Sequence, residues 1–330
     1  MSTDGAASRV RKIGAWLVRR RISVGGSSEV FLAAHADSPD RVAAVKVLLP
    51  HLAEDPTAVA AFRAEVQLLR RIESPYVARV LDSGDWLGSP WMALAYVAGL
   101  DLAALQRSRK GAGLEGPELA ALGLLGARSL AAVHGACDAS GKNLRIIHRD
   151  ISPQNFVVAD TGALTLIDFG IARQAGVRGA TETGVIKGKH AYMSPEQVRR
   201  EPLDARSDIF SFGIVLWELA TGKRLFQGNS VIDTLEKVEA AVFARVCDLN
   251  RGLDHGAAEI IEACLAGSPT DRPDSLDLID GFGRALQRQL HLGDRLDDKQ
   301  VIDLLAGIVK AAGPTADGDR AVLPTHSERT

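Results

Sequence analysis

The pattern of hydrophobic and polar positions in the first hundred residues predicts mainly β-strands. Residues 15–18 and 42–48 are short, mostly apolar runs, and residues 22–33 form two such runs around a turn of glycine and serine. Residues 89–99 predict a further strand followed by a connecting segment. One helix interrupts these strands, with Asp55 as its N-cap and apolar residues recurring after it at helical spacing.

From residue 117 onward the pattern is mainly helical. Residues 117–134 predict a long helix of alanine and leucine. Residues 208–222 predict a helix that is apolar nearly all round and is closed by Gly222, so this helix should be buried. Residues 276–290 and 299–310 predict two more helices, and the Gly-, Pro- and polar-rich sequence after them should be disordered.

Residues 148–170 contain a predicted hairpin with polar side chains at its two ends. Two apolar runs flank the Asp-Thr-Gly turn at residues 160–162. Asp150 and Asn155 precede the hairpin, and Asp168 follows it. Because a hairpin returns the chain close to its start, these three oxygen-bearing side chains should converge. Oxygen ligands with room for phosphate oxygens are what Mg²⁺ prefers.

The order of these motifs resembles the catalytic and magnesium loops of the Hanks-type (eukaryotic-like) serine/threonine protein kinases of bacteria. His-Arg-Asp at residues 148–150 is followed five residues later by an asparagine, then by the hairpin, then by Asp-Phe-Gly. The resemblance covers roughly residues 14–290 and implies an α+β fold of two lobes. The implied units are a flexible arm (1–12), a kinase domain (13–290) with a β-rich N-lobe to about residue 98 and a larger helical C-lobe, and a C-terminal helix with a disordered tail (291–330).

This resemblance implies a role for each candidate catalytic residue. Lys46 would orient the α- and β-phosphates of ATP, and Glu65, 19 residues later, would pair with Lys46. Asp150 would accept the proton of the attacking hydroxyl, while Asn155 and Asp168 would hold Mg²⁺ or Mn²⁺. Taken alone, the segment around Lys46 is equally compatible with an edge strand that carries an exposed lysine.

The implied ATP site begins at the strand-turn-strand unit. Gly25 and Val30 match the family's glycine-rich loop, but Ser23 and Ser28 replace its outer glycines. Without the other motifs this stretch indicates only an ordinary hairpin of small residues. The positions implied to contact the nucleotide are Val24, Gly25, Gly26, Val30, Ala44, Lys46, Tyr96, Val97 and Asn155.

Two positions depart from the family pattern. Ser152 stands where these kinases usually carry a lysine, and Lys189, after Gly188, stands where they usually carry a threonine. Because those two residues touch each other beside the γ-phosphate in related kinases, we interpret the departures as an exchange of positions. Lys189 would supply the ammonium and Ser152 the hydroxyl that steadies Asp150, which makes both catalytic candidates. The alternative is that Lys189 is a solvated loop lysine.

The segment after Asp-Phe-Gly predicts regulation. Thr181 and Thr183 lie seven and five residues before the glycine at 188, where similar bacterial kinases carry activating threonines. The resemblance therefore implies autophosphorylation, with self-association during that reaction and Arg149 as the receiver of the phosphate. It also implies that Asp208 braces the catalytic loop and that Glu196 pairs with Arg272.

The predicted function is transfer of the γ-phosphoryl group of ATP to serine or threonine in protein substrates. A pseudokinase scaffold is the main alternative, although such proteins normally have lost Lys46, Asp150 or Asp168. A small-molecule phosphotransferase is a third, and its relatives typically lack the Ser-Pro-Glu segment and the helix that starts at Asp208.

Composition narrows the class of protein further. Lysine and arginine number 39 against 41 acidic residues, so no overall basic field favours nucleic acid as a partner. Three widely spaced cysteines indicate reduced thiols rather than disulfides or a zinc site. No apolar run approaches a membrane span, and no signal peptide is recognisable. A cytoplasmic location is predicted.

Overall fold

The structure is a computed structural model that describes residues 11–169, 189–292 and 296–313. Its N-terminal part is an antiparallel sheet in the order β1-β2-β3-β4-β6-β5. The strands are β1 (Lys12–Ile13), β2 (Trp16–Val24), β3 (Ser28–His35), β4 (Ser38–Leu48), β5 (Val80–Trp86) and β6 (Ser89–Ala95). Two helices lie between β4 and β5, α1 (Pro50–Ala53) and α2 (Pro56–Leu69).

The sheet separates two hydrophobic clusters because side chains alternate along a strand. Val45 and Val47 of β4 pack on one face with Trp16 and Trp91. Leu48 lies on the other face, in the cluster that includes the apolar side of α2. The predicted N-cap of α2 is present, with Asp55 Oδ1 accepting a hydrogen bond from Thr57 N at 2.8 Å.

Three features of this sheet differ from the sequence-based expectation. The strand predicted at residues 15–18 continues to Val24, because Arg20 and Arg21 pair with β3 after an irregularity at residue 19. The edge strand β5 was not predicted, since its residues 82–85 are Asp-Ser-Gly-Asp. Lys46 lies in β4 between β3 and β6, so the edge-strand alternative for Lys46 is wrong.

The C-terminal part is mainly helical around a small sheet. Its strands are β7 (Gly99–Asp101), β8 (Phe156–Ala159) and β9 (Leu164–Leu166), in that order. Its helices are α3 (Leu102–Ser108), α4 (Gly116–His134), α5 (Pro195–Val198), α6 (Arg206–Thr221), α7 (Val231–Ala240), α8 (Val246–Leu249), α9 (His255–Cys264), α10 (Ser275–Gln289) and α11 (Asp298–Ala311). As predicted, α6 is buried along its length, and Gly222 caps it with a φ of 68°.

The last helix, α11, packs into the same core as the rest of the helical part. Val301 and Leu305 are fully buried among residues of that core. Gly162, in the turn between β8 and β9, has a φ of 91°, and a Cβ placed there would lie 1.9 Å from Ile302 O. Only glycine tolerates both this positive φ and this close approach. Gly162 therefore allows α11 to pack directly against the predicted hairpin.

The limits of the predicted units stay predictions. β1 begins at Lys12, inside the predicted arm, while residues 1–10 and the predicted tail beyond residue 313 lie outside the described residues. Among the helices of the described ranges, none is both long and apolar enough to cross a membrane.

Candidate active site

The sheet contributes a buried lysine to the site. In the ladder, Lys46 of β4 stands opposite Val30 of β3 and Met92 of β6, on the face that α2 covers. Lys46 Nζ donates to Glu65 Oε1 of α2 at 2.8 Å and also contacts Asp168 Oδ1. One lysine therefore joins the sheet, the helix and the segment after β9.

The three charges of this cluster influence one another. Burial by itself lowers the pKa of Lys46, but Asp168 and Glu65 raise it above its usual range. Burial raises the pKa of Glu65 to about 7, although Lys46 opposes that shift. The pKa of Asp168 is lowered because Lys46 outweighs the effect of burial. At neutral pH, Lys46 is thus an ammonium and Asp168 a carboxylate.

A buried aspartate of α6 holds the catalytic loop. Asp208 accepts hydrogen bonds from the backbone N–H groups of His148 and Arg149, both at 2.8 Å. His134, the last residue of α4, places Nε2 3.0 Å from the same carboxylate. Arg149 has a φ of 68°, an unfavourable conformation for a residue with a side chain. Asp208 therefore fixes the backbone just before Asp150, as the resemblance implies.

Asp150 lies between Asn155 and Lys189. Asn155 Nδ2 donates to the backbone oxygen of Asp150 at 2.6 Å, and Lys189 Nζ lies 2.7 Å from Asp150 Oδ2. Ser152 is 1% exposed, and its Oγ has no hydrogen-bond partner in the part of the chain that the structure describes. The hydroxyl of Ser152 therefore does not hydrogen-bond Asp150 as expected, whereas the longer side chain of Lys189 does reach it.

Asp168 and Phe169 adopt a well-defined arrangement after β9. Asp168 has a φ of 58°, and Phe169 is buried with its ring centroid 4.4 Å from that of His148. The buried phenylalanine leaves the Asp168 side chain on the side of Lys46. The following Gly170 lies outside the described residues.

The predicted nucleotide positions lie along one side of the sheet and its edges. Ala44 is two residues from Lys46, on the same face of β4, and stands opposite Leu94 of β6. Tyr96 and Val97 follow β6 directly and are half-buried. Val24 is the last residue of β2, and Gly25 and Gly26 begin the exposed turn that leads to β3. A hydrogen bond from Gly25 N to Ser28 O at 2.8 Å closes this turn. Their contact with ATP stays a prediction.

The oxygen donors at this site fit a magnesium–nucleotide complex better than a metal site built from protein alone. Asn155 donates a hydrogen bond to Asp150 through its amide nitrogen, so the amide oxygen is the atom that would bind a metal. Asp168 offers a carboxylate. No group of three or more His, Cys, Asp or Glu side chains suited to a metal occurs within the described ranges. Mg²⁺ commonly takes one or two protein ligands and completes its octahedron with water and substrate phosphates.

The sequence model of the protein kinase domain matches residues 16–281. This chain belongs to the protein kinase family. The crystal structure of the PknI kinase domain from Mycobacterium tuberculosis has the same fold, with a TM-score of 0.63 and 23% identity, over 85% of this chain and 99% of that one. The resemblance found in the motifs and the predicted two-lobed α+β fold are confirmed.

Curated relatives of this kinase domain differ in the residue type that their names specify. The tyrosine-protein kinase MasK of Myxococcus xanthus is 29% identical over 99% of this chain and 50% of its own length. The serine/threonine-protein kinase PknL of Mycobacterium tuberculosis is 31% identical over 78% of this chain and 62% of its own. The chain thus spans about half to three fifths of the length of these relatives.

Two further groups of polar contacts lie in the helical part of this kinase domain. Glu196 and Arg272 form the expected buried ion pair, with Nη1–Oε1 and Nη2–Oε2 distances of 2.7 and 2.9 Å. A second cluster joins the buried Tyr192 and Glu218 to the exposed Arg224, and in it Tyr192 Oη donates to Glu218 Oε2 at 2.8 Å.

Sequence reasoning missed that second cluster and the contact between His134 and Asp208. Both join residues from separate elements without a local spacing signal. The predicted phosphorylation sites Thr181 and Thr183 lie outside the described residues.

Proposed function

We propose that this kinase domain transfers the γ-phosphoryl group of ATP to serine or threonine side chains of proteins. The observation that carries the proposal is the ion pair between Lys46 and Glu65 with Asp168 in contact with the same lysine. Protein kinases need both the lysine–glutamate pair and the Asp-Phe-Gly aspartate in place for transfer. A scaffold that only binds partners has no need to bring these three charges together.

Each side chain then has a defined role. Lys46, oriented by Glu65, binds the α- and β-phosphates, and Asp150 accepts the proton of the substrate hydroxyl. Asn155 and Asp168 would hold Mg²⁺ or Mn²⁺, which when bound neutralises charge on the phosphates. Asn155 also steadies the backbone of Asp150 through its 2.6 Å hydrogen bond.

We also propose regulation by autophosphorylation at Thr181 and Thr183, through self-association of two copies. Within the described ranges, Arg149 Nη1 is buried and has no hydrogen-bond partner. Burial lowers the pKa of Arg149, which indicates that its charge lacks full compensation. A phosphate brings a charge of about −1.5 to −2 and strong acceptors, which would supply that compensation. The protein substrate and a cytoplasmic location stay predictions.

The test is incubation of the purified chain with γ-labelled ATP and Mg²⁺, alone and with a generic basic protein substrate. Label should appear on serine or threonine after acid hydrolysis. Label on tyrosine alone would instead indicate a tyrosine kinase, the activity that the name of MasK specifies. Asp150→Asn should lower transfer by about 10²–10⁴-fold without weakening nucleotide binding.

Asp168→Ala is the companion variant. It should abolish transfer and also weaken Mg²⁺-dependent nucleotide binding, because it removes a metal ligand. Nucleotide binding without any transfer by the wild-type chain would favour the pseudokinase scaffold. Transfer by either variant near the wild-type rate would remove its assigned role.

A further inference from the structure

The contact between Lys189 and Asp150 is partly withdrawn from solvent. Lys189 Nζ lies 2.7 Å from Asp150 Oδ2, and the two side chains are only 26% and 11% exposed. A solvated loop lysine would be more exposed and would not be directed at a carboxylate. This geometry argues against the alternative that Lys189 is a solvated loop lysine.

The buried hydroxyl of Ser152 is a second, independent observation. Its side chain is 1% exposed, yet its hydroxyl has no hydrogen-bond partner within the described ranges. A buried hydroxyl without a partner is unfavourable and calls for an explanation, such as a group that arrives only with a ligand. In the kinases that this chain resembles, the position of Ser152 carries a lysine. A lysine there in addition to Lys189 would bring a second ammonium near Asp150, and like charges repel.

We propose that Lys189 supplies the ammonium that stabilises the transferring phosphoryl group, and that Ser152 is the matching small residue that leaves room for it. This inference rests on the proposed kinase function and names a catalytic residue outside the catalytic loop. During transfer, the substrate oxygen forms a bond to the γ-phosphorus as the bond to the bridging oxygen of ADP breaks. The electron pair leaves with ADP, and the hydroxyl proton goes to Asp150. Lys189 faces the charge on the γ-phosphoryl oxygens while it remains beside that carboxylate.

Lysine differs from the hydroxyl residue it replaces in reach and in charge. Its ammonium can move between the Asp150 carboxylate and a phosphate oxygen because both are anionic and the stem is flexible. The segment after Lys189 is well anchored, since Ala191 and Tyr192 are buried in the helical part. The backbone of Lys189 is therefore held while its side chain adjusts.

The experiment is a double-mutant cycle with Lys189→Thr, Ser152→Lys and the double variant. Each single variant should lower the turnover rate about a hundredfold, because one contact to the transition state is lost or two lysines compete for one place. The double variant should recover most of the rate, since it restores the residue types at exchanged positions. Lys189→Arg should retain more activity than Lys189→Thr because it keeps the charge. Lys142→Thr, at an exposed loop lysine, is the matched control and should leave the rate unchanged.

A binding measurement separates this inference from the proposed function. Lys189→Thr should weaken Mg²⁺–ATP binding about tenfold while leaving Mg²⁺–ADP binding unchanged, because only ATP carries the γ-phosphate. This readout applies even if the wild-type chain transfers nothing, which would overturn the kinase function alone. Circular dichroism and thermal unfolding verify that each variant is folded, and the Thr and Arg variants at position 189 suffice if Ser152→Lys does not fold. Equal loss of ATP and ADP affinity, additive losses in the cycle, or no effect of Lys189→Thr would overturn the inference.

Discussion

Replacing Arg272 by methionine should destabilise the helical lobe of this kinase domain by about 3 kcal/mol at neutral pH. All five N–H donors of the Arg272 guanidinium are occupied. Two bind the carboxylate of Glu196, and three bind the backbone oxygens of Ala266, Arg206 and Gly267 at 2.8 to 3.2 Å. Methionine fills a similar volume but leaves the Glu196 carboxylate buried without a cation.

The magnitude follows from the carboxylate itself. Burial raises the pKa of Glu196, but hydrogen bonds from Arg272 and Ser207 outweigh burial and lower the pKa from 4.5 to about 2. At about 1.4 kcal/mol for each pKa unit, this difference corresponds to about 3 kcal/mol of stability above pH 4.5. Because the folded-state pKa is the lower one, this stabilisation is lost as the pH falls from 4.5 towards 2. At pH 3.5 about 2 kcal/mol should remain.

The assay is urea unfolding followed by tryptophan fluorescence at pH 7 and pH 3.5. The free energy lost in Arg272→Met should be smaller at the acid pH. Arg199→Met is the matched control, because Arg199 pairs with Glu201 at 2.8 Å on the surface, with side chains 33% and 47% exposed. It should cost less than about 1 kcal/mol.

Two outcomes would refute the reasoning about Arg272. One is a loss below about 1 kcal/mol at pH 7, and the other is a loss that does not shrink on acidification. A further variant, Arg272→Met with Glu196→Gln, should be more stable than Arg272→Met alone, since it removes the uncompensated buried charge.

Three further outcomes are expected. Gly162→Ala should destabilise the protein by about 1–3 kcal/mol more than Gly141→Ala in urea unfolding, because both glycines have positive φ but only Gly162 abuts the backbone of α11; equal effects would argue against that contact. Asp208→Asn should lower the transfer rate and destabilise the fold by about 1–3 kcal/mol, because the amide can no longer accept all three hydrogen bonds; a variant equal to wild type in kinetics and unfolding would contradict its bracing role. Intact-mass and fragment analysis of the chain expressed with ATP available should find phosphate on Thr181 or Thr183, and its absence from both would contradict autophosphorylation there.

The elements found correctly from the sequence are those with a strong local pattern. The buried helix α6 has apolar residues on nearly all of its sides, and the β8–β9 hairpin has a clear turn between two apolar runs. The strand β5 escaped prediction because Asp82 and Asp85 interrupt its pattern, and pairing with β6 compensates for their weak strand preference. Local preference decides an element only where no distant partner overrides it.

The sequence by itself determined the family and the identity of the reactive side chains, because these lie in short motifs at characteristic spacings. Only the tertiary structure decided which of those side chains meet. Lys46 contacts Asp168 across 122 positions of sequence, and Lys189 reaches Asp150 across 39. Such contacts depend on how the sheet, the helices and the loops pack together, because this packing brings oppositely charged side chains within salt-bridge distance. Neither hydrophobic periodicity nor motif spacing contains that information, since both describe only neighbours along the chain.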